Sequence, residues 1–264
     1  MNGQTVLITG ASGGIGQAIA RALAPRGHEL ILSGRRAEVL EGLATELAAR
    51  VITADLAQRP EVERLAAEAG AVDILINNAA LPATGRLLDL TQGQIDTMLE
   101  VNLGAQIALT RLLAPGMVQR GRGHIVCISS LAGKAATPHT SLYNATKFGL
   151  RGFALALRED LVGTGVGVSV VLPGFISDAG MFADSGARLP PGVGTRTPEQ
   201  VAEGVLRAID NNRAEVTVAP LGLRLGSDFA SVAPGLAGRL QRVAGGAKIA
   251  AQLADGQVTK LPGA

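Results

Sequence analysis

The chain has no tryptophan, one tyrosine and one cysteine in 264 residues. A single cysteine, Cys127, excludes an intrachain disulfide and is compatible with a reducing compartment. Its neighbours Ile125, Val126 and Ile128 make it a small core residue in a buried strand. Aromatics are 2% of the chain, so an aromatic stacking platform for nucleic acid is excluded and the core must be built from Ala, Val, Leu and Ile. The net charge of +2 is too small to imply a polyanionic partner. No apolar run reaches the ~18 residues of a membrane span, and the first residues lack a basic segment followed by a signal-type apolar run. A cytoplasmic location is the expectation. No cluster of metal ligands stands out, so no metal is expected.

What is present is abundant small and aliphatic residue, 47% hydrophobic against 17% charged, which is the composition of a globular chain. Short β-rich runs at Thr5–Thr9, Glu29–Ser33, Arg50–Ala54, Ile74–Asn77, His124–Ser129, Gly165–Leu172 and Glu215–Ala219 are nearly continuous in apolar residues. That is the pattern of parallel strands covered on both faces. Helical stretches separate them near Gly14–Arg26, Ala37–Ala49, Pro60–Ala69, Gln92–Gln119, Tyr143–Gly163 and Pro198–Asn211. The alternation predicts an α/β fold, a doubly wound parallel sheet of about seven strands with helices on both faces. Ligands then bind at the edge holding the loops that follow the strands. Residues 179–197, rich in Gly and Pro, are predicted to be a long loop.

The first strand runs into Gly10, Ala11, Ser12, Gly13, Gly14, Ile15 and Gly16, and then a helix. A strand, a tight glycine turn and a helix N-terminus form an anion site, because glycine admits close approach and the first-turn N–H groups favour negative charge. In this architecture the second strand ends beside the adenosine ribose of a dinucleotide. Here it ends in Ser33, Gly34, Arg35 and Arg36, with no acid before Glu38. A guanidinium suits a 2′-phosphate, which favours NADP(H) over NAD(H). Gly13, in the turn itself, adds no second cation.

Tyr143 and Lys147 are four residues apart on a predicted helix and share one face. A free phenol has a pKa near ~10, so acid–base work at neutral pH asks for about 4 kcal/mol. An ammonium ~4 Å away in an effective dielectric of ~20 supplies an interaction of that size. The expectation is therefore that Lys147 lowers the Tyr143 pKa.

Four segments, the glycine turn, Asn77-Asn78-Ala79-Ala80, Ile128-Ser129-Ser130 and Tyr143-Asn144-Ala145-Thr146-Lys147, together resemble the classical short-chain dehydrogenase/reductase (SDR) family over about residues 5–178. The resemblance implies that Tyr143 exchanges a proton with the substrate oxygen, that Ser130 orients that oxygen, that Lys147 also binds the nicotinamide ribose, and that Asn102 holds a water in the proton relay. It implies cofactor contacts from Gly10, Ser12, Gly13, Gly14, Ile15, Gly16, Arg35, Arg36, Asp55, Leu56, Asn78, Ala79, Tyr143, Lys147, Pro173, Gly174 and Ile176. The glycine spacing also fits the extended, sugar-nucleotide-modifying relatives, so the turn alone leaves both branches open. Asp178 stands where the family usually has threonine, which puts the contact of that segment with a cofactor in doubt.

Phe175, Met181, Phe182 and Leu189 are candidates for an apolar pocket wall, and Asp184 and Arg188 read as exposed loop charges. Residues 1–220 form the catalytic unit in this reading. Residues 221–264, with five cations and two anions, form an extension that packs on the same domain or on a partner subunit. A lid over the site ranks second for it and a membrane-surface helix third, so a membrane partner is not expected. Relatives are commonly homodimers or homotetramers. The function expected is hydride transfer between NADP(H) and a small-molecule carbonyl or secondary alcohol. The alternatives are a non-catalytic NADP(H)-binding regulator and an epimerase or dehydratase of the extended branch.

Overall fold

The computed structural model describes residues 3–82, 85–186, 189 and 193–243. Seven parallel strands form one sheet in the order β3-β2-β1-β4-β5-β6-β7. They are β1 Thr5–Thr9, β2 Glu29–Gly34, β3 Arg50–Thr53, β4 Ile74–Asn77, β5 Gly123–Ile128, β6 Val166–Pro173 and β7 Glu215–Val218. Each lies within about a residue of its predicted place. β1 pairs with both β2 and β4, so the chain reverses its direction of travel across the sheet beside β1. The ends of β1 and β4 diverge there and open the crevice in which such sheets hold ligands.

The burial of β4 and β6 at every position follows from helices on both faces. On one face Val62 and Leu65 of α3 (Arg59–Ala69), Leu109 and Met117 of α5 (Ala105–Gln119) and Leu150 of α6 (Ser141–Asp160) pack on the sheet, with Cys127 beneath them. On the other face stand Ile19 and Leu23 of α1 (Gly14–Leu23), Leu40 and Leu43 of α2 (Ala37–Leu47), and Val201 and Val205 of α8 (Pro198–Asp210). These apolar residues recur at three- and four-residue spacing, as a helix lying on a sheet requires.

Three predicted elements differ. The first helix ends at Leu23 and tightens into a 3₁₀ turn over Ala24–Arg26, because Pro25 has no N–H to continue an α-helix. The stretch Gln92–Gln119 is not one helix: α4 (Gln92–Leu99) and α5 are joined by a π-helical turn over Glu100–Gly104. The Gly/Pro-rich stretch carries a short helix, α7 (Gly180–Ser185), and its base is closed by a bridge between Ile176 and Arg196. Two further helices follow β7: α9 (Leu221–Val232) and α10 (Pro234–Val243).

Candidate active site

Gly10, at the end of β1, has φ +64°, and a Cβ there would fall 2.7 Å from the Ala79 Cα. The turn can therefore close only without a side chain. Asn78 braces it: its Nδ2 donates to the carbonyls of Thr9 (2.9 Å) and Gly10 (3.2 Å), while its own N–H and that of Ala79 donate to the Thr9 hydroxyl. Gly13 caps α1 and contributes no side chain to its first turn, so the N-terminal N–H groups are left for an anion. A Cβ on Gly14 would lie 2.2 Å from the Ala179 Cβ, so the segment after β6 passes directly over the turn. Asp178 sits in that segment at φ +63°, exposed. A cradle that a Cβ would fill at a free helix start is the donor set a pyrophosphate needs.

Arg35 and Arg36 are both exposed at the end of β2. Arg36 reaches back and donates from Nη2 to the Ser12 carbonyl, which ties the end of β2 to the glycine turn. Ser12 itself is buried. Asp55 is spent locally, accepting from the Ala57 N–H at 3.1 Å. The Leu56 side chain is a core residue, so only its backbone remains for a ligand.

On the far side of the crevice, Ser130 lies two residues beyond β5 and caps a single 3₁₀ turn, its Oγ accepting from the Ala132 N–H at 3.1 Å. Tyr143 and Lys147 lie one turn apart near the start of α6. Three bonds fix the distance between β5 and α6. Asn144 Nδ2 donates to the carbonyls of Ala132 (2.6 Å) and Ala135 (2.9 Å), and Ser129 Oγ donates to the Lys147 carbonyl (2.8 Å). The Tyr143 phenol and the Ser130 hydroxyl line the same cavity, close enough for Ser130 to favour the phenolate slightly. The Lys147 ammonium donates to the Ile128 carbonyl at 3.0 Å and stands 5.7 Å from the centroid of the Tyr143 ring. Asn144 and Ser129 lie within the motifs quoted from the sequence, which assign them no role; a polar residue beside Tyr143 in the first turn of a helix is the signal for it.

The electrostatics correct one expectation. The Tyr143 pKa is not lowered by Lys147: burial pushes it up to about 12, against a smaller downward pull from Ser130. Lys147, itself buried, is pushed down to about 8 by the loss of hydration. Desolvation is the largest cause for both groups and disfavours both charged forms at once. In this state the phenol keeps its proton.

Asn102 lies in the π-turn, fully buried. Its side chain is engaged with the backbone of Leu81, accepting from the N–H (2.6 Å) and donating to the carbonyl (2.9 Å). Gln106, one turn on, donates to the carbonyls of Ala79 and Asn102. These residues hold the loop after β4 against the helix.

A cavity of about 530 Å³ joins these parts. Ile15 and Asn78 line it on one side, Ser130, Tyr143 and Lys147 on another, and Pro173, Gly174 and Ile176 from the turn after β6. The rest is mostly apolar. Phe175 and Phe182 line it, as the sequence suggested, with their rings tilted against each other at 5.1 Å between centroids, while Leu189 does not. The side chains of Met181 and Asp184, and the whole of Arg188, lie outside the described residues. Leu223, Ser227, Phe229 and Ala230 of α9 and Ala237 and Leu240 of α10 complete the wall. α9 is pinned by Asp228, whose carboxylate meets the Lys134 ammonium at 2.8 Å, and by Ser231, which donates to the Lys134 carbonyl. Lys134 also pairs with Glu215, and Glu215 with Arg151.

Residues 4–189 match the sequence profile of the short chain dehydrogenase family. The chain belongs to the short-chain dehydrogenase/reductase family. It is 39% identical over 227 residues to the ketoacyl reductase HetN of Nostoc sp., covering 83% of this chain and 79% of that protein. Among solved structures it is similar to a short-chain dehydrogenase from Sphingobium yanoikuyae in complex with NADPH, at TM-score 0.77 and 29% identity, covering 92% of this chain and 95% of the other. It is also similar to a variant of the actinorhodin polyketide ketoreductase with NADPH, at TM-score 0.75 and 31% identity, covering 83% and 98%. SDR membership brings with it a nicotinamide cofactor and oxidoreductase chemistry on small molecules. Among the described residues no helix is long and apolar enough to cross a membrane.

Proposed function

We propose that the chain is an NADP(H)-dependent reductase of apolar ketones, running as an alcohol dehydrogenase in reverse. One observation carries this reading: Ser130, Tyr143 and Lys147 meet on the wall of a largely apolar cavity that also reaches the glycine turn. When bound, reduced nicotinamide supplies the hydride. The chain's own residues do the rest. Ser130 presents its hydroxyl to the substrate oxygen, and Tyr143, protonated because burial holds its pKa near 12, gives that oxygen its proton. The Lys147 ammonium steadies the phenolate left behind and offers donors to a ribose. Asn102 acts through the Leu81 backbone it holds, as a positioning residue. Ser12, Gly13, Ile15, Gly16 and Ala79 support the dinucleotide from the turn, and Arg35 and Arg36 favour a 2′-phosphate over a bare hydroxyl. The Phe175–Phe182 pair and the α9 residues favour an apolar group beside the carbonyl.

The test is NADPH consumption across a panel of ketones. Tyr143→Phe should lower turnover by about 10²- to 10⁴-fold while NADPH still binds. Undiminished turnover in that variant would remove the proton donor from the scheme.

A further inference from the structure

Six large apolar side chains stand exposed on the outer side of the last two described helices: Leu221 (68%), Leu225 (59%), Phe229 (42%) and Val232 (86%) on α9, and Leu236 and Leu240 on α10. The α9 set recurs at four, four and three residues, which makes one stripe. The opposite side of α9 is already used, since Ser227 and Ala230 are buried and line the cavity with Leu223. Phe229 and Leu240 belong to both surfaces, so the exposed stripe adjoins the mouth of the cavity.

The charges beside the stripe have one sign. Arg224, Arg239 and Arg242 are exposed, while the sole acid of the two helices, Asp228, is paired with Lys134 and lies in the field of Arg224. An apolar stripe flanked by exposed cations matches the interface of an anionic bilayer: the side chains enter the acyl boundary and the guanidiniums stay among the headgroups. A second copy of this chain fits less well, because two such faces would bring like charges together.

We propose that the outer face of α9 and α10 docks on an anionic lipid surface and holds the cavity mouth toward the bilayer, so that lipid-dissolved molecules enter without crossing water. This goes beyond the hydride-transfer reading and does not depend on it. The fold needs no span for this, only a seat on the surface.

The experiment is co-sedimentation of the full chain with vesicles of phosphatidylcholine alone and of phosphatidylcholine mixed equally with phosphatidylglycerol. Light scattering in parallel reports the oligomeric state. The full chain should bind the mixed vesicles and release as salt is raised. The double variant Leu225→Glu/Val232→Glu, altered only at exposed positions outside the cavity wall, should lose about tenfold or more of that binding. Its thermal midpoint and its turnover of a water-soluble ketone should be unchanged. Binding that fails on both vesicles, or that the double variant retains in full, overturns the proposal. So does a double variant that converts an oligomer to monomers, which would give the stripe to a second copy of the chain. Loss of ketone turnover with intact vesicle binding would instead fault the reductase reading alone.

Discussion

Acid should destabilise this protein through one buried residue near the start of β5. His124, the second residue of β5, is buried, its Nε2 2.8 Å from Ser169 Oγ. That hydroxyl spends its proton on the Arg213 carbonyl at 2.6 Å, so it accepts from the imidazole and fixes the neutral tautomer. The Nδ1 side faces Gly167, where an added Cβ would come within 2.4 Å, so a second proton there would be buried against backbone. Burial and, less strongly, the nearby Arg158 push the His124 pKa from 6.5 to about 4. Between those two values the unfolded chain holds a proton that the folded one refuses. The stability is therefore complete above about pH 6.5 and is lost as pH falls toward 4. At about 1.4 kcal/mol per pH unit the loss approaches ~3 kcal/mol. The assay is the urea midpoint followed by far-ultraviolet circular dichroism across that window, for the wild type and His124→Gln. The variant should be less stable at pH 7 and should show a shallower decline on acidification. Parallel declines in the two proteins would refute the argument.

Three further outcomes follow from the site. Lys147→Met should lower turnover about 100-fold or more. It should also abolish a wild-type gain in stability between about pH 8 and 10.5, where the folded protein alone has shed the Lys147 proton; paired thermal scans at pH 7 and 10 check this. Gly10→Ala should cost about 2–4 kcal/mol, from left-handed backbone and the overlap with Ala79, and should weaken NADPH by about tenfold in a fluorescence titration. Arg35→Asp should weaken NADPH about ten- to a hundredfold while sparing NADH; equal losses for both cofactors would leave Arg35 without a role in selecting the phosphate.

The strands were legible because each is a short apolar run bounded by turn residues, and the parallel order follows from their alternation with helices. The site was legible where chemistry and local spacing coincide, as in the glycine turn and in Tyr143 with Lys147. The π-turn at Glu100–Gly104 was not, because it accompanies Asn102 reaching Leu81 across a loop, a contact between segments 21 residues apart. The raised Tyr143 pKa was missed for a similar reason: the opposite charge is visible in sequence, whereas the low-dielectric wall comes from β5, β6 and α9, distant in the chain. The place of α9 rests on Asp228 meeting Lys134 from 94 positions away, and nothing local to either residue announces it.

The phenol beside Lys147 is the only one the protein possesses, and no indole accompanies it. The near-ultraviolet absorbance of the native enzyme is therefore dominated by the proposed proton donor. Its ionisation can be followed without labels in the unmodified protein, in the long-wavelength tyrosinate band where the five phenylalanines do not absorb.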